Sequence, residues 1–349
     1  RLRITVALSL NQHSPFQVDG VFTLVIPAEM SSPFGLKLMF RFLLAVSLLF
    51  TEPSISATNG FDLSNSEIPL EKIYAGGPPR DGIPSIDTPH FLSSTVAESE
   101  IKDHQSVLGI EIDNISRAYP IAILNWHEVV NDKVNGRSIV ISYCPLCGSG
   151  MVFSSTSSEG DLEFGVSGLL YNSDVLLYDR QSSSLWSQLM GKAISGPMQG
   201  TKLHSIPATH TTWGLWKSAH PDTTLLSRET GFQRDYDRDP YKGYTDHKGI
   251  YFPVETVDPG YHPKERVLGI EVNGRFKGYP YSELSRTTTP ITEQFNGLNY
   301  RVYYDQDTNT ARATDLDNRP IVTVSSFWFA WMAFHPDSKV FTQSDLLKR

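Results

Sequence analysis

The sequence predicts an α+β protein, mostly antiparallel β, built as two pseudo-symmetric copies of one β-rich module with short helices. Three observations lead there. Blocks of sequence return in one order: Val107-Leu108-Gly109-Ile110-Glu111 recurs as Val267-Leu268-Gly269-Ile270-Glu271, Tyr119-Pro120 as Tyr279-Pro280, and Asn135-Gly136 as Asn296-Gly297. A later block, Trp213, Trp216 and His220-Pro221-Asp222, recurs as Trp328, Trp331 and His335-Pro336-Asp337. Ordered self-similarity marks a duplicated structural unit. The repeated segments are also short, rich in β-branched and aromatic residues, and separated by Asn-Gly pairs that suit two-residue hairpin turns. Finally, helical spacing is confined to short stretches, in which two Trp and a His share one face before a Pro stop.

The elements follow in chain order. Residues 1–57 read as an upstream extension plus signal peptide. Lys37 and Arg41 precede the apolar run Phe42–Phe50, and Ser54-Ile55-Ser56-Ala57 offers the small residues of a cleavage site. That run is too short to span a bilayer, so the expectation is export with cleavage, Met39 serving as start, and no stable membrane span afterwards. Residues 58–99 form a lead-in. Copy one covers 100–230, with strands expected at Val107–Ile112, Arg117–Leu124 and Ser138–Tyr143 and a helix at Thr212–Ala219. Residues 231–261, rich in Asp, Tyr, Gly and Pro, read as a linker. Copy two covers 262–349, with a strand at Arg301–Tyr304 and a helix at Phe327–Phe334. It is the scaffold copy, because copy one alone carries an extra stretch of about 155–205 and the cysteines.

Those cysteines are the chain's only two, Cys144 and Cys147, in Tyr143-Cys144-Pro145-Leu146-Cys147-Gly148-Ser149-Gly150. The spacing has three readings. As a metal knuckle it aims two thiolates at one ion, copper or zinc, with the remaining ligands from His, Asp or Glu. As a redox pair it would want a helix N-terminus after the first thiol. Here Gly148-Ser149-Gly150 and Met151-Val152-Phe153 read as a return strand instead. As a structural disulfide it closes too small a ring to stabilise much.

His127 is the nearest candidate third ligand, since a hairpin from Trp126-His127-Glu128 could return it to the turn. A hydrogen-bonded core His is the alternative. Glu128 and Asp132 are candidate general bases or second-sphere acceptors, with a solvated face as the plain alternative. Tyr171, Asn172, Asp174, Tyr178, Asp179, Arg180, Trp186 and Gln188 belong to the extra stretch, as a substrate-binding wall or an ordinary hairpin. His220 and His335 precede Pro at helix ends, where imidazolium would favour the last carbonyls. The four Trp of the two helical blocks read as core.

Composition narrows the function classes. The chain is 40% hydrophobic and 19% charged, with formal net charge -8, which disfavours a nucleic-acid surface. Dinucleotide, P-loop, Gly-X-Ser-X-Gly and His-Glu-X-X-His motifs are all missing, so no nucleotide cofactor is expected.

Five stretches together resemble a prokaryotic family known only as domain of unknown function 3179. They are Trp126–Asp132, Tyr143–Gly150, Gly168–Asp174, Tyr178-Asp179-Arg180 and Ser184–Leu189. The resemblance implies membership and often export, and carries no activity. The functional expectation rests on the residues: an exported metalloprotein in the periplasm or outside the cell, enzymatic activity left open. It would bind one copper or zinc ion through Cys144, Cys147 and His127. A periplasmic thiol-disulfide oxidoreductase and a non-catalytic ligand- or partner-binding module are the alternatives. A small molecule or a redox partner is expected, and no nucleic acid.

Overall fold

The structure is a computed structural model that describes residues 2–7, 21–26, 58–158 and 160–346. The chain divides into two compact units, Arg1–Ile55 and Ser56–Arg349. In the first, Leu2–Ala7 pairs antiparallel with Val21–Ile26. The expected signal segment, Lys37 to Ala57, lies outside the described residues.

The second unit is mostly antiparallel β with few, short helices. Five sheets of three to five strands make up its bulk. One sheet runs in the order Ala208–Thr212, Ser106–Ile112, Ile115–Pro120, Thr224–Leu226, Phe91–Ser93. Another runs Val324–Phe327, Arg266–Val272, Arg275–Pro280, Lys339–Val340. Their central hairpins share a register, Val107 opposite Pro120 and Val267 opposite Pro280. Each sheet then gains one parallel strand, at Thr224–Leu226 and at Lys339–Val340. Gly109 and Gly269 lie under Trp216 and Trp331, where a Cβ would come within 2.4 and 2.0 Å of the indole. Each indole donates to a hydroxyl, Thr223 in one case and Ser338 in the other.

The strand expected over Arg117–Leu124 stops at Pro120, and Ile121–His127 is a helix. Pro120 has no N–H for the ladder, and an unbroken apolar run has no period that separates strand from helix. The Trp helices are Trp213–Ala219 and Trp328–Phe334, with Trp213, Trp216, Trp328 and Trp331 buried. His335, expected as imidazolium, stacks on Phe276 at 3.8 Å, and burial pushes its pKa down to about 4, so it is neutral.

Two further sheets frame the cysteines. One runs His204–Ile206, Ser149–Ser154, Arg137–Cys144, Val129–Val134. The other runs Lys192–Ser195, Leu185–Ser187, Asp174–Asp179, Phe164–Tyr171, Ile73–Ala75, so the lead-in supplies its edge. Every residue of Phe164–Tyr171 and Asp174–Asp179 is buried, so this extra stretch is core and not a surface hairpin. The fifth sheet is Ile291–Phe295, Leu298–Asp305, Thr310–Asp315. Residues 231–261 carry one short 3-10 turn at Tyr244–Asp246. Tyr244 nevertheless belongs to the core around the cysteines, and Tyr241, Phe252 and Val254 pack against it.

Candidate metal centre

Two hairpin tips meet at the centre. The first is the cysteine turn, in which Cys144 pairs with Ser149 and Pro145-Leu146-Cys147-Gly148 bridge the strands. Gly148 is needed because its φ is +59° and a Cβ would lie 2.8 Å from the Phe327 ring. Arg266 donates to the Gly148 carbonyl at 2.7 Å, and the Phe327 amide donates to the Cys147 carbonyl at 2.7 Å. Both cysteines are free thiols with at most 1% exposure. They donate to the Ser173 carbonyl at 3.8 and 3.4 Å.

The second tip joins Phe164–Tyr171 to Asp174–Asp179. Asn172 and Ser173 have φ of 51° and 65°, the left-handed pair that a two-residue hairpin turn requires. Asn172 fixes the tip by accepting the Glu255 amide at 2.8 Å and donating to the Ala333 carbonyl at 3.3 Å. Asp174 then points at the cysteines. One carboxylate oxygen accepts the Leu189 amide at 3.0 Å; the other is buried without a partner, as is the Ser173 hydroxyl. One ligand atom from each of Cys144, Cys147 and Asp174 lies within 4.8 Å of the others. Zinc bonds of about 2.0–2.3 Å in a tetrahedral site place ligand atoms at comparable separations.

Burial dominates the electrostatics. It raises the pKa of both thiols, Cys147 most, and the neighbouring carboxylates add to the rise. Asp174 is pushed up to about 7 by burial, against the pull of the Leu189 amide. Glu128 is pushed up to about 8 by burial and then by the Asp174 charge. Both thiols and Glu128 are therefore held protonated at neutral pH, Asp174 loses its proton around pH 7, and a bound cation would favour the ionised forms. Gln188 backs the turn, accepting from the Ser149 hydroxyl at 2.7 Å and donating to the Ser142 hydroxyl at 3.1 Å. Tyr244 stands close enough for the cysteines to raise its pKa after burial does, and its hydroxyl has no partner.

Two expected site residues stand elsewhere. His127 is not brought to the cysteines. Its Nδ1 bonds the Pro84 carbonyl and its Nε2 the Tyr236 hydroxyl, both at 2.7 Å, which leaves neither nitrogen for an ion. The hairpin does return as expected, but one residue later: Val129 pairs with Ser142, and the Tyr143 amide donates to the Glu128 carbonyl at 2.8 Å. Asp132 is the other correction. It sits in an ion pair with Arg117 at 2.5 Å and accepts from Tyr119 at 2.6 Å. Lys277, Glu293 and Tyr279 form a similar network far from the cysteines in sequence. Asp132 is thus engaged by Arg117 and Tyr119 rather than by the cysteine turn.

Glu128 is close enough for the Asp174 charge to raise its pKa and for its own charge to raise that of Cys144, each after burial. It ends the helix Ile121–His127 with φ 57° and is 6% exposed. Of the proposed wall, Asn172, Asp174 and Gln188 stand at the turn. Tyr171 reaches Glu255 at 3.3 Å and packs on Phe334. Tyr178 donates to Asp81, Trp186 to Asp179, and Arg180 pairs with Asp87, away from the turn. Sequence reasoning placed Asp174 in the wall and missed its place beside the thiols. The signal available was a carboxylate set directly before the apolar run Val175-Leu176-Leu177.

The chain belongs to the family described as "Protein of unknown function (DUF3179)", whose profile matches residues 80–319. That span contains both hairpin tips and Glu128. No curated protein and no solved structure matches the chain. Among the described residues, no helix is long and apolar enough to cross a membrane.

Proposed function

We propose that this chain is an exported metalloprotein holding one zinc-like divalent ion on Cys144, Cys147 and Asp174. The observation that carries the reading is the unpartnered Asp174 oxygen, buried within 4.8 Å of two buried thiols. Buried polar atoms without partners are rare, and a cation shared with the two thiols facing this oxygen would supply its partner. Two thiolates and a carboxylate suit zinc better than Cu(I), which prefers soft ligands throughout. Three protein ligands leave a fourth position, at which bound zinc supplies Lewis acidity. Glu128, held protonated near neutral pH by burial and outside the ligand set, would carry a proton for that position.

Burial and raised thiol pKa values speak against a thiol oxidoreductase, whose attacking thiol needs exposure and a lowered pKa. Export to the periplasm or beyond is proposed from Lys37, Arg41, the Phe42–Phe50 run and Ser54–Ala57. The duplication is proposed as well: matching strand orders, registers, Gly–Trp contacts and buried ion pairs support it. Copy two then acts as scaffold.

Metal analysis of protein purified under reducing conditions tests the reading. About one equivalent of zinc is expected, lost in Cys147→Ser and Asp174→Asn. Failure to retain metal, and failure to take up zinc or cobalt on titration, would end it.

A further inference from the structure

The segment 231–241 walls a cleft of about 450 Å³ whose lining includes Ile83, Trp126, Arg234, Asp235, Arg238 and Tyr241. That volume lies in the range of small-molecule sites. The chain is acidic overall, yet this concavity presents two guanidinium groups. Neither forms an ion pair among the described residues. Arg234 donates to the Gln233 carbonyl at 3.1 Å, and the Arg238 guanidinium has no acceptor there. Its guanidinium carbon lies 5.0 Å over the Trp126 ring, a cation–π contact that uses none of its donors. The indole donates to the Arg238 carbonyl at 3.3 Å, holding ring and backbone together. Asp235 is the one carboxylate in the lining, and one of its oxygens accepts the Asp237 amide at 3.2 Å. Arginine forks match planar anions bidentately, and aromatic faces favour a flat apolar body.

The cleft is also joined to the centre. Ile83 and Tyr241, both in its lining, pack against the core that contains Cys144 and Cys147. The Tyr241 hydroxyl feels Glu128 and Cys144.

We propose that this cleft binds a small carboxylate-bearing ligand, the carboxylate on Arg234 and Arg238 and the body against Trp126 and Tyr241. The claim rests on the cleft alone and does not require metal at the cysteines, so either reading can fail without the other.

Calorimetric titration of the full chain tests it, with benzoate as probe and inorganic phosphate as the competing anion. Benzoate is expected to saturate one site near about 1 mM. Arg234→Gln and Arg238→Gln should each weaken it about tenfold, Arg238→Lys several-fold since it keeps charge without the fork, and Asp235→Asn should tighten it. Circular dichroism checks that each variant folds, and Arg238→Lys serves if Arg238→Gln does not. No saturation by about 10 mM benzoate overturns the proposal. So does unchanged binding in the Arg234→Gln/Arg238→Gln double variant. Binding of phosphate without benzoate overturns the carboxylate assignment.

Discussion

Glu128 combines a left-handed backbone with a carboxyl that burial pushes well above the usual carboxylate range. Sparsely populated backbone regions cost about 1–3 kcal/mol and gather at functional sites. Its titration gives a pH signature for the metal-free protein. The folded pKa, about 8, exceeds the ordinary carboxyl value of 4.5, so the folded state binds the proton more tightly. The associated stability is fully present below the unfolded pKa and is lost as pH rises toward 8. Asp174 acts in the same sense from 3.8 to about 7. Urea unfolding of metal-free protein should therefore show stability falling between pH 5 and pH 8, and Glu128→Gln should flatten that fall. A slope identical in the variant would remove Glu128 from the account. At the same scale, Cys144→Ser, Cys147→Ser and Asp174→Asn should abolish zinc uptake. Asp305→Ala and Thr308→Ala, at the turn between Leu298–Asp305 and Thr310–Asp315, should leave uptake unchanged. Asp305 accepts the Thr308 amide at 2.9 Å and its hydroxyl at 2.7 Å, so its loss should cost about 1 kcal/mol of stability. Zinc loss from both sets, measured by elemental analysis, would mean that the second turn supports the centre.

The hairpins explain which parts of the molecule are legible in sequence. The return strand after Gly150, the Trp helices and the Asn-Gly turns are local, set by residues within a few positions of one another. The partner of the cysteines is not local. Asp174 arrives on a separate hairpin whose docking depends on Asn172, Glu255 and Ala333, and no spacing rule relates these to Cys144. His127 failed as a ligand for a geometric reason: the strand begins at Val129, and the helix end before it turns the imidazole to Pro84 and Tyr236. The glycines give the test at this scale. Gly269→Ala would drive a Cβ to 2.0 Å from Trp331, where a buried indole cannot yield, and should cost about 3 kcal/mol by urea denaturation. Gly148→Ala meets both Phe327 and a positive φ, so it should lower zinc affinity as well as stability. A Gly148→Ala protein with unaltered zinc affinity would show that the turn tolerates displacement.

At the scale of the whole molecule, metal and fold are linked by mass action. An ion that binds only the folded state at 100 times its dissociation constant adds about 2.7 kcal/mol. Chelation should lower the melting temperature of the wild-type chain and leave Asp174→Asn unmoved; equal shifts in both would place the metal elsewhere. The turn itself draws its walls from far apart. The cysteines come from the hairpin of Arg137–Cys144 and Ser149–Ser154, Asp174 from the strand Asp174–Asp179, and Arg266 and Phe327 from the distant strands Arg266–Val272 and Val324–Phe327. Neither residues 58–230 nor residues 262–346 expressed alone should therefore hold the cysteine turn closed. Conversely, a protease nick in the crossing between Tyr251 and Val257, both more than half exposed, should release no fragment, because the severed pieces stay fastened through the buried turn.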